Sequence, residues 1–159
     1  MLFTYEGDMF TFGTYDPEIR SLADIEDRRV FLGPQGGALV GVSAGLIEAA
    51  TGLVAGEDYE LVHVDWSGSA ALLQDGTVDV LIQLCAPGCA VWEELSTGRP
   101  LYLVGYTEEQ VAQPAFQEAM NFPGRHLNTV DPAAFGPGIA NDGPITMVGE
   151  FTGLVTNAA

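Results

Sequence analysis

The sequence predicts one α/β lobe: a three-layer unit whose mainly parallel sheet is flanked by helices. Three observations carry that expectation. Short apolar runs are followed by helical patterns four times in succession. The run Val78 to Leu84 is nearly all apolar, as a central parallel strand is when both its faces are covered. Between Ala38 and Thr51, Leu39, Val42, Leu46, Ile47 and Ala50 recur at helical spacing. A chain of 159 residues is long enough for one domain with a real core, and no internal repeat divides it.

Each element has a local reason. Leu2–Tyr5 and Met9–Thr14 are aromatic and β-branched, so they read as strands or one interrupted strand. Ser21 caps a short helical turn, with Asp24 three residues on in a capping-box position. Arg29 to Leu32 is a buried strand that runs into the corner Gly33-Pro-Gln-Gly-Gly37 and then into the 38–51 helix, which Gly52 closes. Tyr59 to Val64 is the next strand, and Ser67 to Gln74 a short helix. After the 78–84 strand come a helix over 90–96 and a strand over 101–105. Thr107 caps a helix over 108–120 that Pro114 interrupts. The stretch from Asn121 to Pro144 is rich in Pro, Gly and Asn and reads as mostly loop, and Ile145 to Thr156 is strand-like.

The charge excludes some partners. Asp and Glu number 22 against 5 Arg and no Lys, a net charge of −17. Such a surface repels nucleic acid and anionic membranes, so neither is expected as a partner. A solubility role explains the charge most simply, and a high-salt habitat would screen the self-repulsion. No window reaches transmembrane length. Met1-Leu-Phe-Thr-Tyr-Glu6 lacks the basic start and long apolar run of a signal peptide, so either the chain is cytosolic or a leader has been removed.

Chemistry is expected off the carboxyl ends of the parallel strands. Three such ends would face one cleft: Gly33 to Gly37, His63 to Gly68, and Gln83 to Gly88. The glycine corner lacks the Gly-Lys-Ser/Thr of a phosphate loop and the G-x-G-x-x-G of a dinucleotide fingerprint. It still leaves amides at a helix start, where an anionic group can sit. His63 and Asp65 could suggest a general base, but no nucleophile motif accompanies them. A structural His63 and a helix-capping Asp65 are favoured. Trp66 could stack on a ligand or pack in the core. Cys85 and Cys89 have no second Cys or His pair at zinc spacing, and small buried thiols are favoured over a disulfide. His126 is a loop residue without metal-site company. No metal or cofactor is expected.

The run Ser21-Leu-Ala-Asp-Ile, then Arg29-Val-Phe-Leu-Gly-Pro-Gln-Gly-Gly37, resembles the S-L-A-D-L-x-G-K-R-V-x-x-G-x-x-G-S-G-T signature of TAXI-type receptors of TRAP transporters. Further matches follow in order. Leu46-Ile-Glu-Ala-Ala50 with Gly52-Leu53 resembles I-L-x-A-x-G-L, and Ala70 to Val80 resembles A-x-x-L-x-x-G-x-I-D-A. Ala86-Pro87-Gly88 resembles the family's post-strand loop, Asn128 to Phe135 its x-T-I-P-A-G-T-Y, and Thr146 to Gly149 the strand after it. Receptors for thiamine precursors share much of this pattern. The family's Ser-Gly-Thr is here Gly37-Ala38-Leu39, so the hydroxyls that would contact a carboxylate are missing.

The resemblance implies a periplasmic-binding-protein type II-like lobe, namely the second of two lobes with its two crossing segments. Residues 1–20 would be a crossing strand or hinge, 21–130 the ligand-binding lobe, and 131–159 a loop and return strand. It implies an extracytoplasmic solute-binding protein, not an enzyme, that takes a small carboxylate such as an amino or organic acid and serves TRAP membrane subunits. Gln35, Gly36, Gly37, Ala38, Asp65, Trp66, Gln83 and Pro87 would line the site. The alternatives are a thiol-dependent enzyme using Cys85 and His63, a thiamine-precursor-type ABC receptor lobe, and a lobe that forms a homodimer through faces the first lobe would cover.

Overall fold

A computed structural model of the chain describes residues 8–151 in full, together with the backbone strands at 2–5 and 152–155. The strands are β1 (Leu2–Tyr5), β2 (Met9–Thr14), β3 (Arg29–Phe31), β4 (Glu60–Leu61), β5 (Val80–Cys85), β6 (Tyr102–Val104), β7 (Arg125–Val130), β8 (Ile145–Glu150) and β9 (Thr152–Val155). The helices are α1 (Ala38–Thr51), α2 (Trp66–Gln74), α3 (Ala90–Gly98), α4 (Glu108–Val111) and α5 (Pro114–Met120).

The main sheet has the order β4-β3-β5-β2-β8-β7, and β6 also pairs with β2. β3 runs parallel to β4 and to β5. β2 is antiparallel to β5, β6 and β8, and β7 is antiparallel to β8. So β3, β4, β5, β6 and β8 share one direction, while β2 and β7 oppose it. The expected α/β lobe with a mostly parallel sheet is what forms. β2 lies in the middle of it and is buried along its whole length. A separate antiparallel pair joins β1 to β9, Leu2 opposite Val155.

Alternation along β2 shows the three layers directly. Phe10 lines a cavity with Leu39 and Val42 of α1. Thr11 and Gly13, out of phase with Phe10, face Trp92 of α3. Helices α1 and α3 therefore cover opposite faces of the sheet. α1 packs with α4 and α5, and α2 with α3. Trp92 is wholly buried, and its indole N–H donates to Thr11 Oγ1 at 2.8 Å. A Cβ on Gly13 would lie 2.5 Å from the Trp92 ring, so only glycine lets β2 and α3 approach this closely.

Local signals hold at several points. Ser21 makes a full capping box with Asp24, and Thr107 makes one with Gln110. Gly52 closes α1 in the left-handed conformation, φ 82°. Pro114 begins α5, where its missing N–H costs no helical bond.

Two expectations need correction. The second parallel strand is only Glu60–Leu61: Tyr59 forms an isolated bridge with Ala55, and past Val62, whose N–H donates to Val30 O at 3.0 Å, the chain is loop up to Asp65. The stretch from Asn121 to Pro144 is not mostly loop: it contains β7, paired to β8 along its full length, and a 3-10 turn over Pro132–Phe135. Arg, His and Asn hide the alternation of an edge strand. His126 and Asn128 close over Gly149 of β8, where a Cβ would meet them at 2.8 and 2.7 Å. The strand-like end of the chain is broken at Phe151 into β8 and β9, and Thr156 lies outside the described residues.

Candidate functional site

The order β4-β3-β5 sets three strand ends side by side. The start of β2 joins them, since Met9 lies opposite Cys85. At this edge the corner after β3 turns into α1. Gly33 is buried with φ 135°, and a Cβ there would sit 3.3 Å from Val40 and 3.5 Å from Trp66. Gly36 has φ 77°. Both positions suit glycine because the left-handed region strains other residues.

The corner holds a different set of free amides from the one expected. The Gly37 N–H donates to Pro34 O at 3.0 Å, so it is spent within the turn. Val40 N–H donates to Gly37 O at 3.2 Å. The Gly36, Ala38 and Leu39 amides have no hydrogen-bond partner among the described residues, and no side chain caps α1. The helix thus starts with unpaired donors and its positive dipole end at the cleft edge. Gln35 is exposed on the same corner.

Trp66 opens α2 beside this corner. It is 41 % exposed, with its ring edge-on to Phe31 at 5.4 Å. It therefore packs and presents a face at the same time. Asp65 occupies the N-cap position, but its exposed side chain makes no capping bond, so the expected Asp65 cap is absent. His63 Nδ1–H donates to Gly33 O at 2.9 Å, a structural role that ties the two strand ends together. Gln83 is half-buried. Its amide donates to Ser69 Oγ at 3.0 Å, and Ser69 donates to Trp66 O at 2.8 Å. Gln83 thus braces α2 and keeps only part of its amide for a ligand. Pro87 is exposed in the loop after β5.

The favoured reading of Cys85 and Cys89 as free thiols is overturned. The two are joined as a disulfide with Cα atoms 5.8 Å apart. The bridge links the end of β5 to the N-cap of α3 and clamps the Ala86-Pro87-Gly88 loop. Thr11 Oγ1 donates to Gln83 O at 2.8 Å and lies 3.6 Å from Cys85 Sγ. A thiol nucleophile is not assembled. Cys85 is in the bridge, His63 is held by Gly33, and His126, which lies in β7 and not in a loop, is stacked on Phe151 at 4.4 Å.

Sequence reasoning missed part of the cleft. A cavity of about 230 Å³ lies against the start of α1, lined by Phe10, Leu39, Val42 and Leu84 with Asp8 and Glu150 at its rim. No motif marks Asp8 or Glu150; pairing of β2 with β8 brings them together. Glu150 accepts from Arg125 Nε at 2.6 Å. A larger concavity of about 670 Å³ opens elsewhere, between α4 and β7, and holds none of the corner residues. The smaller cavity is the better candidate, because the free amides and the exposed Trp66 stand at its edge of the sheet.

The other end of the strands is closed. Asp79 accepts from the Arg29 backbone N–H at 2.8 Å, from Arg29 Nε at 3.2 Å and from its terminal nitrogen at 3.0 Å. Burial pushes the Asp79 carboxyl upward, but these bonds and the Arg29 charge outweigh it and hold it below the usual range. Elsewhere in the core, burial pushes the Tyr59 phenol up to about 12 and raises the Tyr106 phenol as well.

Fold and site together define a mixed α/β lobe whose helix α1 starts, among the described residues, with unpaired amides at one edge of the sheet. The chain belongs to the NMT1-like family, whose model matches residues 1–157. No curated protein matches it. Among solved structures it is similar to substrate-binding domain 2 of GlnP from Lactococcus lactis, at 14 % identity and TM-score 0.45, over 74 % of this chain and 54 % of that one. It is also similar to the periplasmic aliphatic sulphonate binding protein SsuA from Escherichia coli, at 19 % identity and TM-score 0.40, over 48 % of this chain and 25 % of that one. A third is the ectoine binding protein TeaA of the TeaABC TRAP transporter, at 17 % identity and TM-score 0.36, over 74 % of this chain and 41 % of that one. The chain thus spans a quarter to about half of these proteins' lengths.

Proposed function

We propose that this chain is a solute-binding lobe of an extracytoplasmic receptor that serves a membrane transporter and binds a small carboxylate-bearing solute without turnover. One observation carries the reading. Among the described residues the Gly36, Ala38 and Leu39 amides at the start of α1 are unpaired, and exposed Trp66 stands beside them at the carboxyl ends of adjacent strands. Backbone amides at a helix start suit a carboxylate, and they replace the hydroxyls missing from this corner. The apolar wall of Phe10, Leu39, Val42 and Leu84 would take the solute's carbon skeleton. Membership of the NMT1-like family supports the receptor class. The Cys85–Cys89 bridge fits an oxidising compartment.

The TAXI-type motifs favour a TRAP transporter as the membrane partner, and a thiamine-precursor ABC receptor accounts for the same fold equally well. Titration calorimetry on the protein expressed from its complete reading frame separates them. The panel is amino acids, small organic acids and pyrimidine precursors of thiamine. Saturable heat with an amino or organic acid, weakened by Trp66→Ala, is the expected result. Heat with the pyrimidines alone moves the chain to the ABC reading, and flat heats across the panel overturn the solute-binding reading.

A further inference from the structure

The main sheet has two edges, and they are finished differently. β4 is two residues long, and Glu57, Asp58 and Glu60 crowd its rim. Short length and charge are the usual protection of an exposed edge. β7 is six residues long, Arg125–Val130, and carries no carboxylate. Its one arginine is already paired with Glu150. Among the described residues nothing pairs with its outer side.

Hydrogen-bond phase shows which groups point outward. Thr146 O accepts from Tyr106 N–H at 2.8 Å, and Glu150 N–H donates to Asp8 O at 3.3 Å, both away from β7. Their partners Thr129 and Arg125 are therefore non-hydrogen-bonded positions of the β7–β8 ladder. Leu127 shares their phase. The main-chain N–H and C=O groups of Leu127 and Thr129 thus face outward, with no partner among the described residues. Leu127 is 38 % exposed, and with Thr129 it borders the 670 Å³ concavity that Val111, Ile145 and Thr146 also line.

We infer that β7 is a self-pairing edge, whose occupant is the β7 of a second copy, antiparallel about a two-fold axis at Asn128. In that register Leu127 lies opposite the second copy's Thr129 and the reverse, so four main-chain hydrogen bonds form. Each Leu127 covers the concavity beside the other copy's Thr129. β7 carries no carboxylate, and in that register Arg125 lies opposite the second copy's Asp131 and His126 opposite its Val130, so an identical strand opposes no like charges along its length. This surface is distinct from the candidate cleft, so it stands or falls independently of the solute-binding reading. One strand pair buries less than a standard interface, so the dimer is weak and concentration-dependent.

Sedimentation equilibrium of the full chain, over a wide concentration range at low and high sodium chloride, tests the proposal. Dimer is expected to rise with concentration and with salt, because salt screens the −17 charge on each copy. Thr129→Pro removes an outward N–H that β8 does not use, and Leu127→Lys places charge on the edge. Each acts twice in a symmetric dimer and is expected to weaken association about tenfold or more. Circular dichroism and melting check that both variants fold. Asn128→Cys, at the two-fold, is expected to give a covalent dimer on mild oxidation. A monomer at all concentrations, a dimer that salt weakens, a dimer that both variants retain, or failure of Asn128→Cys to cross-link would each overturn the assignment.

Discussion

The strands β3 and β5 are finished in opposite ways at their two ends. At the amino end Asp79 and its polar neighbours are engaged. Asp79 takes three hydrogen bonds from Arg29, Thr14 Oγ1 donates to Asp79 O at 2.7 Å, and Arg99 lies 3.5 Å over the Tyr15 ring. At the carboxyl end, among the described residues, no side chain caps α1 and three amides are unpaired, and Trp66 and Leu84 are 41 % and 42 % exposed. The lobe is held together at one end and keeps unsatisfied groups at the other. A binding edge needs groups that folding has not already satisfied, so it contributes less to stability than a closed edge of similar size.

The largest effect is expected where the two ends are joined. Trp92 follows the clamped 85–89 loop, yet its indole packs on Thr11 and Gly13 against the face of the sheet. Trp92→Ala is expected to cost about 3–5 kcal/mol, read as the urea midpoint, and to leave Thr11 Oγ1 without its donor. Asp79→Asn comes next. It discards the charge that Arg29 holds and should lower the midpoint at pH 7 while leaving the cleft intact. The pH dependence has a definite sign. Because the folded Asp79 carboxyl lies below its ordinary value, its contribution is present above about pH 4 and is lost as pH falls further. The wild-type minus Asp79→Asn difference in stability should therefore shrink in acid; a constant difference would show that Asp79 acts through shape alone.

Smaller effects belong to the open end. Replacing Cys85 and Cys89 together by Ser is expected to cost about 2 kcal/mol, with faster amide exchange confined to residues 85–90. Exchange that spreads through β5 would make the bridge part of the closed framework. Trp66→Ala should cost less than Trp92→Ala, because Trp66 is 41 % exposed and loses about 0.5–1.5 kcal/mol of edge-to-face contact with Phe31 together with only part of a full burial. Its main effect should be on solute affinity. A stability loss as large as that of Trp92→Ala would erase the distinction between the two ends.

Much of the closed framework was legible because its signals are local. The 38–51 helix, the Gly52 cap, the Ser21 capping box and the apolar 80–85 strand each depend on residues a few positions apart. The corner Gly33 to Gly37 and the adjacent Trp66 were legible for the same reason. What escaped depends on distant partners. β7 looked like loop because its alternation appears only against Gly149 of β8. Asp8 and Glu150 are not motif residues; the Met9–Gly149 pairing sets them at one cavity. The cysteines looked like thiols because nothing in their spacing shows that the loop brings their Cα atoms to 5.8 Å.

By itself the sequence determined the α/β class, the succession of elements and the corner at which a helix begins without a cap. Periodicity, glycine conformation and capping chemistry act over a few residues and do not wait for the fold. Tertiary structure alone decided that β2 runs antiparallel through the middle of the sheet, that Gly37 spends its amide on Pro34, and that β7 is the end strand of the sheet among the described residues. Those outcomes depend on which backbone groups find partners, and that is settled only when distant strands meet.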